Sequence, residues 1–314
     1  MRRLIQALSP HLQARAPIRA SAAEITTSIS LSSSGVVVPK MFPELTERTC
    51  EGVTLLGDWR RPCGVSLAFS ERMGGVSSVP YASLNLGAHV GDDLGAVEEN
   101  RRRVLTAMGL SEFEDNLIVP NQVHGDNVCV IHSSESHELA RVRDEVAQGC
   151  DAVVCVASDV PVLMCFADCV PVILVTPHGF AVIHSGWRGT MAKIAGKAAR
   201  VLLSETASQP SEVLAYVGPH IGAEDYEVSK ELLGRFVAEF GPRVRTHAQG
   251  NYLCLAEAIR SALEDEGITS DQILVSNLST PSHTDKFYSY RAEVGTCGRH
   301  GAIAALVSPN GAMG

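Results

Sequence analysis

The sequence predicts one mixed domain of strands and helices. Residues Val160–Phe166 form a near-continuous apolar run, which is typical of a strand buried on both faces. Two further runs, Val170–Val175 and Phe180–Ile183, are joined by a turn with Pro and Gly and predict a β-hairpin. Helical spacing of apolar residues dominates much of the later sequence. These patterns favour a three-layer α/β sheet and a pair of packed sheets equally.

The other elements follow from the same periodicities. An Asp near the start and a Gly just past the end bound the first helix, and Gly267 ends the last one. We expect the folded part to begin near Gly57 and to contain no internal repeat. The remaining predicted strands are 65–70, 117–120, 128–131, 150–154, 213–217, 273–278 and 302–307. The predicted helices are 93–108, a short one within 133–149, 190–205, 228–240 and 252–266.

Composition and charge exclude several classes of protein. The chain has 314 residues, of which 45% are apolar and 19% charged, as in soluble globular proteins. Its net charge of −9 argues against nucleic acid as a partner, because phosphate backbones require a basic face. No apolar run approaches the ~18 residues that a membrane helix needs. Neither a nucleic-acid nor a membrane partner is expected, whereas a homo-oligomer stays open.

The cysteines indicate a reducing compartment. There are nine, an odd number, and they are scattered through apolar segments with no secretory leader ahead of them. Such a distribution is not typical of a disulfide framework. A cytoplasmic protein is therefore expected.

The first fifty residues differ from the rest and are set apart as a disordered extension or a targeting segment. Up to residue 40 they contain Arg2, Arg3, Arg15 and Arg19, and a Ser-rich tract. This composition is typical of an organellar transit peptide. A disordered extension, or an upstream start codon with the protein beginning near Met41, explains it equally well.

The most informative residues are those at the two outer ends of the hairpin. Asp168-Cys169 stands at its entrance and His184 at its exit, so the two outer ends should meet in space. Neighbouring Cys and His side chains can form half a zinc site or a thiol–imidazole nucleophile pair. The plainer alternative is a buried Cys beside a surface His.

Several motifs, in order along the chain, resemble the YfiH-like family of laccase-domain proteins. They are NQVHGDNV, ADCVPV, HSGWRG, VGPHIG and FYSYR, and the resemblance runs from about residue 64 to 305. The family is known as multicopper polyphenol oxidoreductases, purine nucleoside phosphorylases and peptidoglycan editing factors. The resemblance implies an α+β fold of two packed mixed β-sheets flanked by helices (four layers, α/β/β/α). Residues 51–314 would form this single catalytic domain.

The resemblance also implies a metal site. It would place zinc on His124, Cys169 and His184, which adds a third ligand to the two that the hairpin brings together. Three protein ligands leave a fourth position open, as in catalytic zinc sites. Copper is the less favoured metal.

The pocket around the metal is implied by neighbouring motifs. Arg72, Asn85 and Arg188 would line it, with Arg188 joining the metal ligands as a catalytic residue. Asp168 would orient a ligand His or cap its turn, and His220 is either a pocket residue or a structural His. The chain has Ser279-Thr280 and Arg291-Ala292-Glu293 where the family often has Cys-Thr and Arg-Arg-Asp.

The favoured function is a zinc-dependent purine nucleoside phosphorylase that also deaminates adenosine. Its partners would be phosphate and a purine nucleoside, namely adenosine, inosine, guanosine or methylthioadenosine. Arg72, Arg188 and a helix beginning near Thr190 are the candidate phosphate binders. Bound zinc would supply the activated water for deamination.

Three other functions are compatible with parts of the sequence. A metal-free Cys169–His184 pair could hydrolyse an amide, as in editing a peptidoglycan precursor. Copper-dependent polyphenol oxidation is disfavoured because the chain has no His-x-His pair. A binding protein without catalytic activity is the third alternative, but it would not account for a metal site with an open coordination position.

Overall fold

The computed structural model describes residues 29–31, 37–39, 41–247 and 249–308. The described residues from 41 onward belong to one compact unit, and strands 29–31 and 37–39 belong to a separate one. The strands are β1 Ile29–Leu31, β2 Val37–Pro39, β3 Thr46–Cys50, β4 Val53–Gly57, β5 Val65–Ser70, β6 Val128–Ile131, β7 Ala152–Cys155, β8 Val162–Phe166, β9 Val170–Thr176, β10 Gly179–Ser185, β11 Leu214–Val217, β12 Ile273–Val275 and β13 His300–Leu306. The α-helices are α1 Leu94–Ala107, α2 Ser136–Ala147, α3 Trp187–Met191, α4 Ile194–Thr206, α5 Lys230–Phe240 and α6 Leu255–Glu264.

Two sheets build the larger unit. One has six strands in the order β12-β11-β9-β10-β7-β6, and the other has five in the order β3-β4-β5-β13-β8. In the six-stranded sheet β11 and β12, and β6 and β7, pair in parallel, while the other pairs are antiparallel. The five-stranded sheet is antiparallel throughout, so only one of the two predicted mixed sheets is mixed.

The layers follow from where the side chains of β9 point. Val172 and Leu174 join the apolar cluster under α4, α5 and α6, while Ile173 and Val175 join the cluster between the sheets. Because successive side chains of a strand face opposite sides, a strand covered on both faces must be apolar throughout. A third cluster lies between the outer face of the five-stranded sheet and α1. The four-layer α/β/β/α architecture is confirmed.

Three expectations about local structure are wrong. The fold begins before Gly57, because β3 and β4 form a hairpin that extends the five-stranded sheet. The predicted boundary at residue 50 therefore falls in the turn of this hairpin. Residues 117–120 form no strand, only an isolated bridge from Ile118 to Val162.

The third difference concerns the predicted helix 190–205. It is divided into α3 and α4 at Lys193, whose φ of 58° and ψ of 40° are left-handed. The Thr190 hydroxyl also donates to the carbonyl oxygen of Gly186 (2.9 Å), within the short helix α3. Because of the break at Lys193, α4 begins at Ile194, and its N-terminus does not follow the His184 turn directly.

Two sequence-based interpretations concern other regions. Residues 1–28 lie outside the described residues, so the targeting interpretation stays a prediction. Among the described helices, none is both long and apolar enough to cross a membrane.

Candidate metal and active site

The candidate site lies where the chain passes from one sheet to the other. Strand β8 belongs to the five-stranded sheet and β9 to the six-stranded one, and only Ala167, Asp168 and Cys169 connect them. Asp168 makes this turn with a φ of 84°. The pairing of Val170 with Ser185 then places Cys169 beside the end of β10, where His184 stands.

A third strand brings in an acidic residue. Ile183 on β10 pairs with Ala152 on β7, so Asp151, just before β7, lies next to His184. The backbone N–H of His184 donates to the carbonyl oxygen of Asp151 (2.7 Å), and His184 Nδ1 donates to its carboxylate (2.7 Å). Both side chains are almost wholly shielded from solvent. The imidazole is thereby held in one tautomer, with Nε2 free to accept or to bind a metal.

The same carboxylate holds the loop that carries His124. It accepts hydrogen bonds from the backbone N–H groups of Val123 (3.2 Å), His124 (2.9 Å) and Gly125 (2.7 Å). His124 itself has a left-handed φ of 59°. Asp151 therefore connects the loop before β6 to the end of β10.

These contacts bring His124, Cys169 and His184 into one cluster, as the sequence predicted. Their ligand atoms all lie within 4.8 Å of one another. The two imidazole rings meet edge to face, with centroids 4.8 Å apart. Two imidazole nitrogens and one thiolate are the donors that zinc prefers, and the Asp151 contact is the outer support typical of a metal-bound His. The residues present therefore fit a metal ion.

A side chain at Gly186 would press against two of the candidate ligands. A Cβ there would stand 3.0 Å from Cδ2 of His124 and 3.1 Å from Sγ of Cys169. Its φ of −73° is open to any residue, so space rather than backbone conformation favours glycine here. A larger residue would have to displace His124 or Cys169 by a few tenths of an ångström.

With no metal bound, electrostatics favour an ionised Cys169 and a protonated His184, which would release its Nε2 proton on binding a metal. Burial opposes charge on the thiol, but the neighbouring His184 and His124 outweigh it and lower the pKa of Cys169 to about 6. Burial likewise opposes charge on His184, yet the Cys169 sulfur and the Asp151 carboxylate raise its pKa to about 9. The pKa of Asp151 is lowered despite burial because His184 and the backbone N–H groups stabilise its charge. A thiolate is the form that binds metals and attacks electrophiles.

A cavity of about 430 Å³ opens over the cluster, and its outer wall combines cations with aromatic rings. The Arg291 guanidinium lies 5.4 Å from the ring centroid of Tyr226, and that of Arg299 lies 5.8 Å from Tyr290. Tyr290 is 55% exposed. The wall thus offers flat apolar faces beside positive charge, a combination suited to an aromatic ring carrying an anion.

Several predicted pocket residues lie elsewhere within the described structure. Arg72 donates to the carbonyl oxygens of Ala82 and Thr284, pairs with Glu293, and lies 4.3 Å from the ring centroid of Tyr288. It therefore ties the segment after β5 to the one before β13 and does not line the cavity.

Asn85, Arg188 and His220 do not line the cavity either. Asn85 is buried and bonds to Gly87 and to the backbone N–H of Arg299. Arg188 is exposed over the ring of Trp187. His220 is buried against the carbonyl oxygen of Gly218, which matches the structural alternative.

Asp168 does line the cavity, but its carboxylate does not contact a ligand His. It accepts from the Thr280 hydroxyl (2.7 Å) and from the backbone N–H of Arg291 (2.7 Å). Among the described contacts the carboxylate neither orients a ligand His nor caps its own turn; it anchors the C-terminal rim to the crossing turn. The support of a ligand His, one of the two roles that the sequence left open for Asp168, is provided by Asp151.

The sequence analysis missed Asp151, Tyr226, Arg291 and Arg299 as components of the site. One signal for Asp151 was a lone carboxylate at the head of an apolar strand, which is costly to bury without partners. Tyr226 and Arg299 lie more than 30 residues from any ligand and carried no local signal. Arg291 ends the FYSYR motif but was recognised only as part of the family pattern, without a role in the cavity.

The chain is similar in sequence to a family of known proteins. The family model described as multi-copper polyphenol oxidoreductase laccase matches residues 66–307. The chain belongs to this family. Its laccase-family relatives include "Purine nucleoside phosphorylase YlmD" of Geobacillus stearothermophilus, 33% identical over 75% of this chain and 88% of that one. "Purine nucleoside phosphorylase" of Deinococcus radiodurans is 34% identical over 85% and 98% of the two chains.

A solved structure confirms the fold of this laccase-family member. The crystal structure of YlmD from Geobacillus stearothermophilus superposes with a TM-score of 0.72 at 28% identity, over 86% of this chain and all of that one. The relatives are thus similar in sequence and architecture across nearly their whole length.

Proposed function

We propose that the protein is a zinc-dependent purine nucleoside phosphorylase that also deaminates adenosine. The observation that carries this proposal is the His124–Cys169–His184 cluster at the floor of a cavity lined by arginines and tyrosines. Enzymes named purine nucleoside phosphorylase at this level of similarity support the assignment. The substrates would be phosphate and adenosine, inosine, guanosine or methylthioadenosine.

Zinc is the metal that we assign to the cluster. Bound zinc supplies Lewis acidity and lowers the pKa of water toward ~7, which is the chemistry that adenosine deamination to inosine and ammonia requires. Copper is the alternative because two His and one Cys also form copper electron-transfer sites, usually with an axial Met. Among the described residues, no Met lines the cavity. The absence of that fourth ligand favours zinc.

Phosphorolysis needs an anion held against the ribose. A phosphate oxygen attacks C1′, the bond from C1′ to the purine nitrogen breaks, and the base leaves with a proton. Arg291 and Arg299 are the guanidinium groups of the cavity wall and would hold the phosphate. Tyr226 and Tyr290 would stack on the purine. Arg72 and Arg188, assigned to phosphate from the sequence, do not reach this cavity.

Product analysis tests the proposal. Zinc-loaded protein would be incubated with adenosine, with and without phosphate, and the products separated by chromatography. We expect adenine and ribose 1-phosphate only with phosphate, and inosine in both cases. Cys169→Ala should abolish all products, whereas the exposed Cys50→Ala, in strand β3 of the other sheet, should leave them unchanged. Unchanged adenosine with fully zinc-loaded protein would refute the proposed function.

A second function is supported by the Cys169–His184–Asp151 arrangement. A thiolate beside an imidazole, itself oriented by a carboxylate, is the arrangement of cysteine hydrolases. It would cut an amide, for example in a peptidoglycan precursor. A zinc-bound thiolate is a poor nucleophile, so one zinc per purified chain and resistance of Cys169 to iodoacetamide would exclude this function. Metal-free protein that iodoacetamide inactivates at Cys169 would favour it.

We place the reaction in the cytoplasm. All nine cysteines lie in the described part of the chain and all are free thiols, which supports a reducing compartment.

A further inference from the structure

A second cavity adjoins the metal cavity. It has a volume of about 340 Å³. His89, Gln122 and Cys165 contribute to the walls of both cavities. The Gln122 amide is held between them, since it donates to the carbonyl oxygen of Cys165 (2.8 Å) and accepts from its N–H (2.8 Å). A ligand in the metal cavity can therefore place an extension against this shared wall.

Two arginines give the second cavity its charge. Arg101 of α1 donates through Nε (3.0 Å) and Nη2 (2.8 Å) to the carbonyl oxygen of Leu86. Arg143 of α2 donates to the carbonyl oxygen of Asp115 (2.5 Å). Within the described part of the chain, no carboxylate pairs with either guanidinium and none lines the cavity. Both guanidinium groups can therefore pair with an anionic ligand.

The neighbouring arginines of the same helices show that this pattern is not general. Arg102 and Arg103 both pair with Glu99 on α1. Arg141, two residues before Arg143, pairs with Glu138 and Glu145 on α2. Of these five arginines, the two that line the cavity, Arg101 and Arg143, are the ones without a carboxylate partner among the described residues.

Guanidinium groups held in a concave wall suit a phosphate. The planar fork of Arg matches the oxygens of a phosphate, and charge-assisted bonds of this kind are stronger than neutral ones. The shared wall places such a phosphate next to the metal cavity, where Tyr226 and Tyr290 would hold a purine.

We propose that the second cavity binds the phosphate group of a purine nucleotide whose base and ribose lie in the metal cavity. The protein would then recognise purine nucleotides more tightly than nucleosides. The identity of the base rests on the proposed function, whereas the phosphate site rests on Arg101 and Arg143 alone. Inorganic phosphate has the same chemistry and is the other source of such a group.

Calorimetry on zinc-loaded protein tests the site with three probes: adenosine 5′-monophosphate, adenosine and inorganic phosphate. We expect the monophosphate to bind roughly ten-fold more tightly than adenosine, as a charge-assisted phosphate contact provides. Arg143→Gln should remove most of this difference, Arg143→Lys should retain part of it, and adenosine affinity should not change. Arg141→Gln on the same helix is the matched control and should behave as the wild type.

The outcomes separate the sources and the two proposals. Equal affinities for the monophosphate and adenosine, or a difference that survives Arg143→Gln, would overturn the nucleotide site. If only the phosphate affinity falls in Arg143→Gln, together with a higher KM for phosphate in phosphorolysis, the cavity serves the inorganic co-substrate and the nucleotide assignment is overturned. Tighter binding of the monophosphate without any turnover of adenosine would support the site and refute the phosphorylase.

Discussion

Replacing Asp151 by Asn tests whether one carboxylate organises the candidate metal site. The carboxylate receives hydrogen bonds from His184 Nδ1 and from the backbone N–H groups of Val123, His124 and Gly125. Asn has nearly the same shape but replaces one acceptor oxygen by a donor NH₂ group. Whichever way the amide turns, donors face donors around a side chain that itself has no solvent access.

The size of the effect follows from these contacts. If the NH₂ group replaces Oδ2, the N–H groups of Val123 and Gly125 lose their acceptor. Each buried donor left unsatisfied costs about 1–3 kcal/mol, so the free energy of unfolding should fall by roughly 2–6 kcal/mol. Loss of a carboxylate behind a ligand His typically weakens metal affinity by about 10–100-fold.

Two measurements check the Asp151→Asn prediction. Urea unfolding of metal-free protein gives the change in stability, and competition with a chromophoric chelator gives the zinc affinity of the folded variant. Asp126→Asn is the control, because Asp126 lies on the same loop and pairs only with Lys197 at the surface, where an ion pair contributes about 0–1 kcal/mol. If Asp151→Asn keeps wild-type zinc affinity and stability, Asp151 does not organise the site.

Three further predictions concern packing, pH and the corrected role of an arginine. Gly186→Ala should weaken zinc binding by about ten-fold or more in chelator competition, because its Cβ meets two ligands. The control Gly234→Ala has open space around it and should leave zinc binding unchanged. It should also raise the free energy of unfolding by about 0.5–1 kcal/mol. Burial lowers the pKa of His300 from 6.5 to about 3. As the pH falls below 6.5, this imidazole is therefore protonated in the unfolded chain but not in the folded protein. The free energy of unfolding should then fall by up to about 1.4 kcal/mol per pH unit between pH 6.5 and 3. Urea unfolding across that range should show a shallower fall for His300→Phe but not for the exposed His178→Gln. Arg72→Lys should lower the free energy of unfolding by about 1–3 kcal/mol and leave the KM for adenosine within about two-fold, whereas a raised KM at unchanged stability would restore its substrate role.

Local sequence was sufficient to predict the hairpin and the pair of side chains at its ends. Each strand of the hairpin is a short run rich in β-branched residues, and the turn between them contains Pro and Gly. Antiparallel pairing then brings Cys169 to His184 by geometry alone. The third member, His124, came from the family resemblance, because no local pattern connects the loop before β6 to this hairpin.

Local sequence patterns could not predict contacts between residues that are far apart in the chain. Asp151 supports His184 because β7 pairs with β10, and that pairing is a property of the sheet order. Arg72 is surrounded by polar loop residues that look like a pocket in sequence, but folding turns its guanidinium toward backbone carbonyls. The break at Lys193 is a left-handed residue between two helical segments, and the periodicity of apolar residues does not reveal such a break.

Metal reconstitution tests the central claim most directly. Metal-free protein would be titrated with zinc and separately with copper, and ribose 1-phosphate formed from adenosine and phosphate would be measured against bound metal. The account predicts no phosphorolysis without metal, activity that rises in proportion to zinc up to one ion per chain, and no zinc-dependent activity in Cys169→Ala. Full phosphorolysis by metal-free protein, or activity restored by copper but not by zinc, would contradict it.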